Sequence, residues 1–316
     1  MNDRRPLLIV LTGPTGVGKT DLAIDLALHL GTEIVSADSR QVFRELKIGT
    51  AAPTQEQLAR VPHHLVGHKS IDEYYSASEF EQDALRALDG IFGRGRCAIM
   101  CGGSMMYVDA VCDGIDRIPT ISDEIRRSTW AEYESRGLQH MQQCLLELDP
   151  VFYGQVDLKN HKRVVHAVEV CRMAGKPYSS LRTHSRRPRP FDTLRIVLSA
   201  DREVLYDRID RRVDRMMDLG LADEARAFYP KRSLNSLNTV GYKELFGHFD
   251  GLYDIGEAVR LIKRNTRHYA RKQLSWFRRS DDYLWLDPER RDEIFSIVDR
   301  RLDDPAGFQS PSSGVI

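Results

Sequence analysis

The sequence is poor in the features that mark secreted, metal-stapled or membrane proteins. Its five cysteines, at 97, 101, 112, 144 and 171, are an odd set without a Cys-x-x-Cys pair. Neither a disulfide framework nor a zinc site is suggested. No apolar run approaches the roughly 20 residues needed to cross a bilayer. Met1-Asn2-Asp3-Arg4-Arg5-Pro6 leads straight into Leu7-Leu8-Ile9-Val10-Leu11, without the long apolar region and cleavage site of a signal peptide. The expectation is a cytoplasmic, monomeric protein with no membrane contact. Net charge is also lacking, with 46 Lys+Arg against 46 Asp+Glu, which at first sight argues against a nucleic-acid partner.

Distribution matters more than the sum. From Arg260 to Arg279 there are eight Lys/Arg and no Asp or Glu, and a second basic cluster comprises Arg182, Arg186, Arg187 and Arg189. A basic run is by itself compatible with a solvated helix face. Two of them in a neutral chain predict a strongly positive surface.

Apolar runs at 7–12, 33–37, 97–101, 194–199 and 283–286 read as strands, separated by helical periodicity at 19–30, 78–92 and 104–113. This alternation predicts an α/β fold with a parallel sheet covered on both faces. The strand signal disappears between about 116 and 191, where 123–136, 138–148 and 161–174 read as successive amphipathic helices. The expected organisation is therefore a core of 1–115 and 192–304, an inserted helical domain at 116–191, and a disordered tail at 305–316. The Pro- and Arg-rich 184–190 would be the return linker. Asp201 is placed to cap a helix running through Met217, with Gly220 ending it.

Gly13-Pro14-Thr15-Gly16-Val17-Gly18-Lys19-Thr20 matches G-x-x-x-x-G-K-[ST], between a buried strand and an amphipathic helix. Glycines let consecutive backbone N–H groups face an anion, and the helix N-terminus adds positive potential. Lys19 can reach terminal phosphates, and the Thr20 hydroxyl can ligand Mg²⁺. The motif specifies a diphosphate or triphosphate without specifying the reaction.

Asp38 follows the second strand and so belongs at the carboxyl edge of the sheet, where doubly wound folds bind ligands. Its carboxylate fits a general base, and Asp38 or Ser39 equally fits a helix N-cap. Cys101-Gly102-Gly103-Ser104 is a third strand-to-helix loop, offering two glycines and a hydroxyl, or simply a turn. The strand before it ends without the acid found in the corresponding strand of many ATPases.

Taken together, these loops resemble the tRNA dimethylallyltransferase (isopentenyl-tRNA transferase) family. The matching segments are 13–20; Asp38-Ser39-Arg40-Gln41-Val42-Phe43 with Ile48-Gly49-Thr50; and Gly102-Gly103-Ser104-Met105-Met106-Tyr107. Further on are Asn160-His161-Lys162-Arg163 with Ala167-Val168-Glu169, Arg208 to Met216 leading to Gly220-Leu221, Gly241-Tyr242-Lys243-Glu244, and Thr266-Arg267 to Gln273 with Trp276-Phe277-Arg278. The resemblance spans about residues 7–279. It implies a P-loop NTPase-like core with an inserted helical domain, and transfer of a dimethylallyl group from dimethylallyl diphosphate to N6 of adenosine 37 in tRNAs that read codons beginning with U. Asp38, Ser104 and Arg212 would be catalytic, the 13–20 loop would hold diphosphate, and Thr20 would hold Mg²⁺. The anticodon stem-loop of tRNA would meet Asp38, Ser39, Arg40, Gln41, Ser104, Arg126, Lys162, Arg163, His166, Gly241, Tyr242, Lys243, Arg267 and Arg271. The chain departs from the family pattern with Ser104 in place of Thr, Phe43 where Tyr is frequent, and His166 where Arg is usual.

Three rivals make different predictions. A P-loop small-molecule kinase or NTPase would turn over nucleotide, with Asp38 orienting an acceptor hydroxyl. A prenyltransferase of free adenylate would have no task for the basic segment. A non-catalytic RNA-binding regulator would tolerate loss of Asp38.

Overall fold

The computed structural model describes residues 5–116, 118–183 and 186–304. The sequence divides into two compact units, one formed by residues through Cys112 together with those from Pro188 on, the other by Asp113–Arg187. The boundaries expected from sequence lay three to four residues further along, at 116 and 191.

In the first unit the strands are β1 (Leu7–Thr12), β2 (Ile34–Ser36), β3 (His63–His64), β4 (Cys97–Cys101), β5 (Asp192–Leu198) and β6 (Tyr283–Leu286). They form one sheet in the order β3-β2-β4-β1-β5-β6, with every pairing parallel. β1 lies between β4 and β5, with Leu7 opposite Cys97 on one side and Asp192 on the other. All six of its residues are buried, because helices cover both faces of the sheet. Leu8 and Val10 join one apolar cluster and Leu7, Ile9 and Leu11 the other. This is the period-2 alternation of a strand between two layers. β3 was not expected: two half-buried histidines carry no apolar pattern, and only pairing with β2 makes them a strand.

The helices in chain order are α1 (Lys19–Leu30), α2 (Gln55–Arg60), α3 (Ala77–Phe92), α4 (Met105–Asp113), α5 (Asp123–Leu148), α6 (Pro150–Tyr153), α7 (His161–Ala174), α8 (Tyr178–Leu181), α9 (Arg202–Asp218), α10 (Leu221–Phe228), α11 (Tyr242–Phe249), α12 (Ile255–Phe277) and α13 (Arg291–Asp303). Local chemistry sets their ends. Gly31, with φ 61°, returns its N–H to the last carbonyls of α1. The Asp201 carboxylate accepts the Glu203 N–H at the start of α9, and Asp254 accepts that of Glu257 at the start of α12. Gly220 does not end α9. Leu219 does, and Gly220 starts α10.

The second unit contains α5 to α8. α5 is continuous in span, but Gly137 (φ 77°, ψ −179°) kinks it into the two segments read from sequence. The core of this unit gathers Met141, Leu145, Phe152, Val164, Val165 and Val168. Asp149, fully buried, accepts from the Phe152 and Ser179 N–H groups and the Ser179 hydroxyl, tying α6 to α8. The tail at 305–316 and residues 184–185 of the expected linker lie outside the described residues.

Candidate active site

Three loops leave the carboxyl ends of β1, β2 and β4 side by side. At the first, Gly13 passes so close to β5 that a Cβ there would stand 2.5 Å from the Leu198 carbonyl oxygen. Lys19, in the first turn of α1, folds back and donates to the Gly13 and Pro14 carbonyls at 3.0 and 2.8 Å. Burial pushes its pKa down to about 8; the neighbouring Arg212 adds to this, while Cys101 and Asp38 oppose it. Arg212, from α9, donates to the Thr15 hydroxyl at 3.1 Å. Its own pKa is lowered by burial and supported by Asp38.

At the second loop, Asp38 Oδ1 accepts the backbone N–H groups of Arg40 and Gln41 at 2.9 and 3.3 Å. The helix N-cap reading does not hold, since no helix starts between Asp38 and Gln55: Oδ1 organises a turn instead, and among the described residues none hydrogen-bonds to Oδ2. The third loop is pressed against the second. A Cβ on Gly102 would stand 2.2 Å from the Ala37 carbonyl oxygen, so only glycine fits this approach. Ser104 donates its N–H to that same carbonyl at 3.1 Å and accepts the Ser39 N–H on its hydroxyl at 2.7 Å. The Ser104 hydroxyl also meets that of Tyr269, whose pKa burial and the Asp38 charge push up to about 12. Cys101, at the end of β4, faces Lys19 and is driven up to about 11 by burial.

Two cavities open from this point. The larger, about 960 Å³, holds Lys19, Thr20 and Cys101 and has an apolar wall that includes Phe43, Leu46, Ile48, Leu58 and Val66. The smaller, about 500 Å³, is lined by polar and cationic groups including Ser39, Arg40, Lys243, His268 and Lys272. Thr15, Asp38, Arg212, Met216 and Tyr269 line both. The unit thus presents an anion loop beside an apolar chamber, a cationic antechamber, and one carboxylate between them.

The other sequence-predicted residues divide. Arg40 and Gln41 spend their side chains on the fold: Arg40 donates to the Asn235 and Ser236 carbonyls, and Gln41 to those of Thr50 and Ala51. Tyr242 is fully buried and donates to Glu224 at 2.5 Å. The same carboxylate accepts from the N–H groups of Lys47, Ile48 and Gly49. The Tyr242 ring therefore supports the 47–49 turn and presents no face to a ligand. Gly241 gives its N–H to Glu244 and lines the smaller cavity, where Lys243 is exposed. Arg267 is ion-paired with Asp210, and Lys263 with Asp214, so α9 neutralises part of the basic helix. Arg271 and Lys272 are exposed and have no acidic partner within ion-pair distance among the described residues. Arg189 leaves the second basic cluster: it is buried against Glu81 and the Ala110 carbonyl. In the inserted unit, Lys162, Arg163 and His166 are exposed on α7, and Arg126 is half-buried on α5.

Sequence reasoning assigned no role to Gln273. Only 1% exposed, it accepts the Thr15 N–H on Oε1 at 2.9 Å and donates from Nε2 to the Gly103 carbonyl at 2.8 Å. The available signal was an amide on an otherwise basic helix, at a helical spacing that turns it inward.

The IPP transferase family matches residues 41–280. A tRNA dimethylallyltransferase of Parabacteroides distasonis is 52% identical over 93% of this chain and 99% of its own. One of Bacteroides thetaiotaomicron is 54% identical over 93% and 95%. Among solved structures, the tRNA isopentenylpyrophosphate transferase of Bacillus halodurans is 34% identical, with a TM-score of 0.71 over 95% of this chain and 98% of its own. A eukaryotic dimethylallyltransferase acting on tRNA, 24% identical, shares the fold with a TM-score of 0.80 over 95% of this chain and 80% of its own. With this match over most of its length and relatives at 52% and 54% identity, the chain belongs to the IPP transferase family.

Proposed function

We propose that the protein transfers a dimethylallyl group from dimethylallyl diphosphate to N6 of adenosine 37 in tRNAs reading codons that begin with U, releasing diphosphate. The observation that carries this reading is the pair of cavities meeting at Asp38. The larger offers an anion-binding loop next to an apolar wall, which matches a diphosphate joined to a short hydrocarbon. The smaller offers cations and hydrogen-bonding groups, which match a nucleotide.

An adenine stacked in a tRNA loop cannot reach a carbon held in a separate chamber, so it is flipped out of the stack to enter the smaller cavity. Its N6 lone pair is delocalised into the ring and is a weak nucleophile. As the N–C bond forms, the bond from the allylic carbon to diphosphate oxygen breaks, and Asp38 takes the N6 proton. Negative charge grows on the leaving diphosphate. The loop amides, Lys19 and Arg212 are placed to stabilise it, with Ser104 orienting the Asp38 loop. The apolar wall excludes water from an allylic centre that water would otherwise capture.

Magnesium suits this site. The Thr20 hydroxyl and the Asp38 carboxylate both line the larger cavity, and these are hard oxygen donors too few to form a cage, as in sites where substrate phosphates complete the shell. Thr20 would hold the ion, which when bound neutralises charge on the diphosphate. The protein's cytoplasmic, monomeric action and the contacts of Lys162, Arg163, His166 and Arg126 with tRNA belong to the same proposal.

The test is incubation of the protein with Mg²⁺, dimethylallyl diphosphate and unmodified tRNA, followed by mass spectrometry of the nucleosides, with ATP and free AMP as alternative substrates. A dimethylallyl adduct on adenosine 37 is expected. ATP turnover without an adduct would move the protein to the kinase class.

A further inference from the structure

The inserted unit holds a cluster that this reaction does not use. Glu132, His140 and Cys144 each present one ligand atom, and the three atoms lie within 4.8 Å of one another. Along an unbroken helix residues 132 and 140 would stand about 12 Å apart, at about 1.5 Å per residue. The break at Gly137 brings them together. Its φ of 77° with ψ of −179° belongs to a backbone region open essentially to glycine alone.

His140 Nε2 lies 2.5 Å from Glu132 Oε1 and 3.4 Å from Cys144 Sγ. Both partners face the same ring nitrogen. A proton relay from thiol to carboxylate needs them on different nitrogens. An Nε2–H that donates to Glu132 has no lone pair left for the thiol proton. The arrangement is one of three donor atoms converging on a point. Glu132 is oriented from behind: Arg172 holds its Oε2 at 2.8 Å and itself donates to the Thr129 hydroxyl at 3.1 Å. Outer partners of this kind fix the carboxylate and imidazole ligands of metal sites. Arg136, 3.9 Å from Oε1, is mostly exposed and can turn to solvent.

We propose that Glu132, His140 and Cys144 bind a divalent cation of the zinc class, which pins the two halves of α5 across the Gly137 break. Imidazole nitrogen, thiolate and one carboxylate oxygen are the donors such ions take, with a water in the fourth position. A tetrahedral zinc ion places nitrogen and sulfur ligands about 3.6 Å apart and nitrogen and oxygen about 3.4 Å apart. The His140–Cys144 separation already fits. Glu132 has to retreat by about 0.9 Å to meet the same geometry, which its half-exposed side chain allows. On binding, the thiol proton is released to solvent, and the Nε2 proton gives way to the metal, leaving a neutral imidazole with its one proton on Nδ1.

The experiment uses full-length, tag-free protein stripped with a chelator and titrated with Co²⁺, followed by the thiolate-to-cobalt absorption band and then by displacement with Zn²⁺. One equivalent is expected to develop the band. Cys144→Ser and His140→Ala, with native circular dichroism, are each expected to abolish it. Glu132→Gln is expected to weaken binding by about tenfold or more. No band in the unsubstituted protein, or a band that survives Cys144→Ser, would overturn the proposal.

Discussion

Gln273 holds the amide of Thr15 at 2.9 Å, and its other end holds the Gly103 carbonyl at 2.8 Å. One buried side chain on α12 therefore clamps the phosphate loop to the third loop of the site. It acts by holding those loops, at the edge of the larger cavity that it also lines. Gln273→Met, close in volume, removes both hydrogen bonds. The prediction is a donor KM raised several-fold, with unchanged tRNA affinity and a stability loss on the order of 2 kcal/mol. Steady-state kinetics in each substrate, with urea unfolding, checks it. An equal rise in both KM values would point to general loosening.

Lys19 gives the pH dependence its sign. Burial lowers its pKa from the ordinary 10.5 to about 8. Its positive charge in the free enzyme is thus lost as pH rises through about 8, and kcat/KM for dimethylallyl diphosphate is expected to fall there. At saturating donor the fall in kcat moves to higher pH, because bound diphosphate favours the charged amine. For stability the sign is opposite: between about 8 and 10.5 the unfolded chain binds the extra proton, so this group's contribution to stability rises with pH. Lys19→Arg, which stays charged, should remove the fall in kcat/KM near pH 8. An unchanged midpoint would remove Lys19 as its cause.

Glu224 and Tyr242 make a structural prediction. Glu224 accepts three backbone N–H groups and the Tyr242 hydroxyl. Glu224→Ala leaves these donors stranded and should cost on the order of 3 kcal/mol, against about 1 kcal/mol for Tyr242→Phe. Denaturant unfolding measures both. Tyr242→Phe should leave tRNA affinity unchanged, since the ring is buried.

The basic surface is narrower than the sequence suggested. Lys272→Ala and Lys243→Ala, lining the smaller cavity, should weaken tRNA binding uniformly across substrates and reduce the salt dependence by about one unit of slope each. Arg267→Ala should act mainly on stability, through Asp210. Filter binding at several salt concentrations separates the two effects.

Much of this was readable from residue order. β1 and β4, together with α1 and α7, carry strong periodicity or end signals, and their limits coincide with the expected ones, as do those of β6, whose signal is weaker. The first and third loops follow from strand-to-helix turns at glycines, whereas the second, after β2, has no glycine and runs into turns rather than a helix. What could not be read was long-range pairing. β3 exists only because β2 lies beside it, and Arg267 and Lys263 are neutralised by carboxylates more than forty residues earlier in the chain. Tyr242 sits in a motif that resembles a ligand contact, yet its burial depends on a Glu224 acceptor that no local pattern reveals. The Glu132–His140–Cys144 cluster escaped for the same reason: its spacing becomes a site only after Gly137 breaks the helix.

The central claim is that the carboxylate shared by the two cavities takes the proton from the incoming amine. The direct measurement is single-turnover prenyl transfer by Asp38→Asn, with tRNA and dimethylallyl diphosphate both saturating, alongside the tRNA dissociation constant. The account predicts a rate lower by about 10²- to 10⁴-fold, with tRNA bound as tightly as before. A rate within a few-fold of the unsubstituted protein would contradict it.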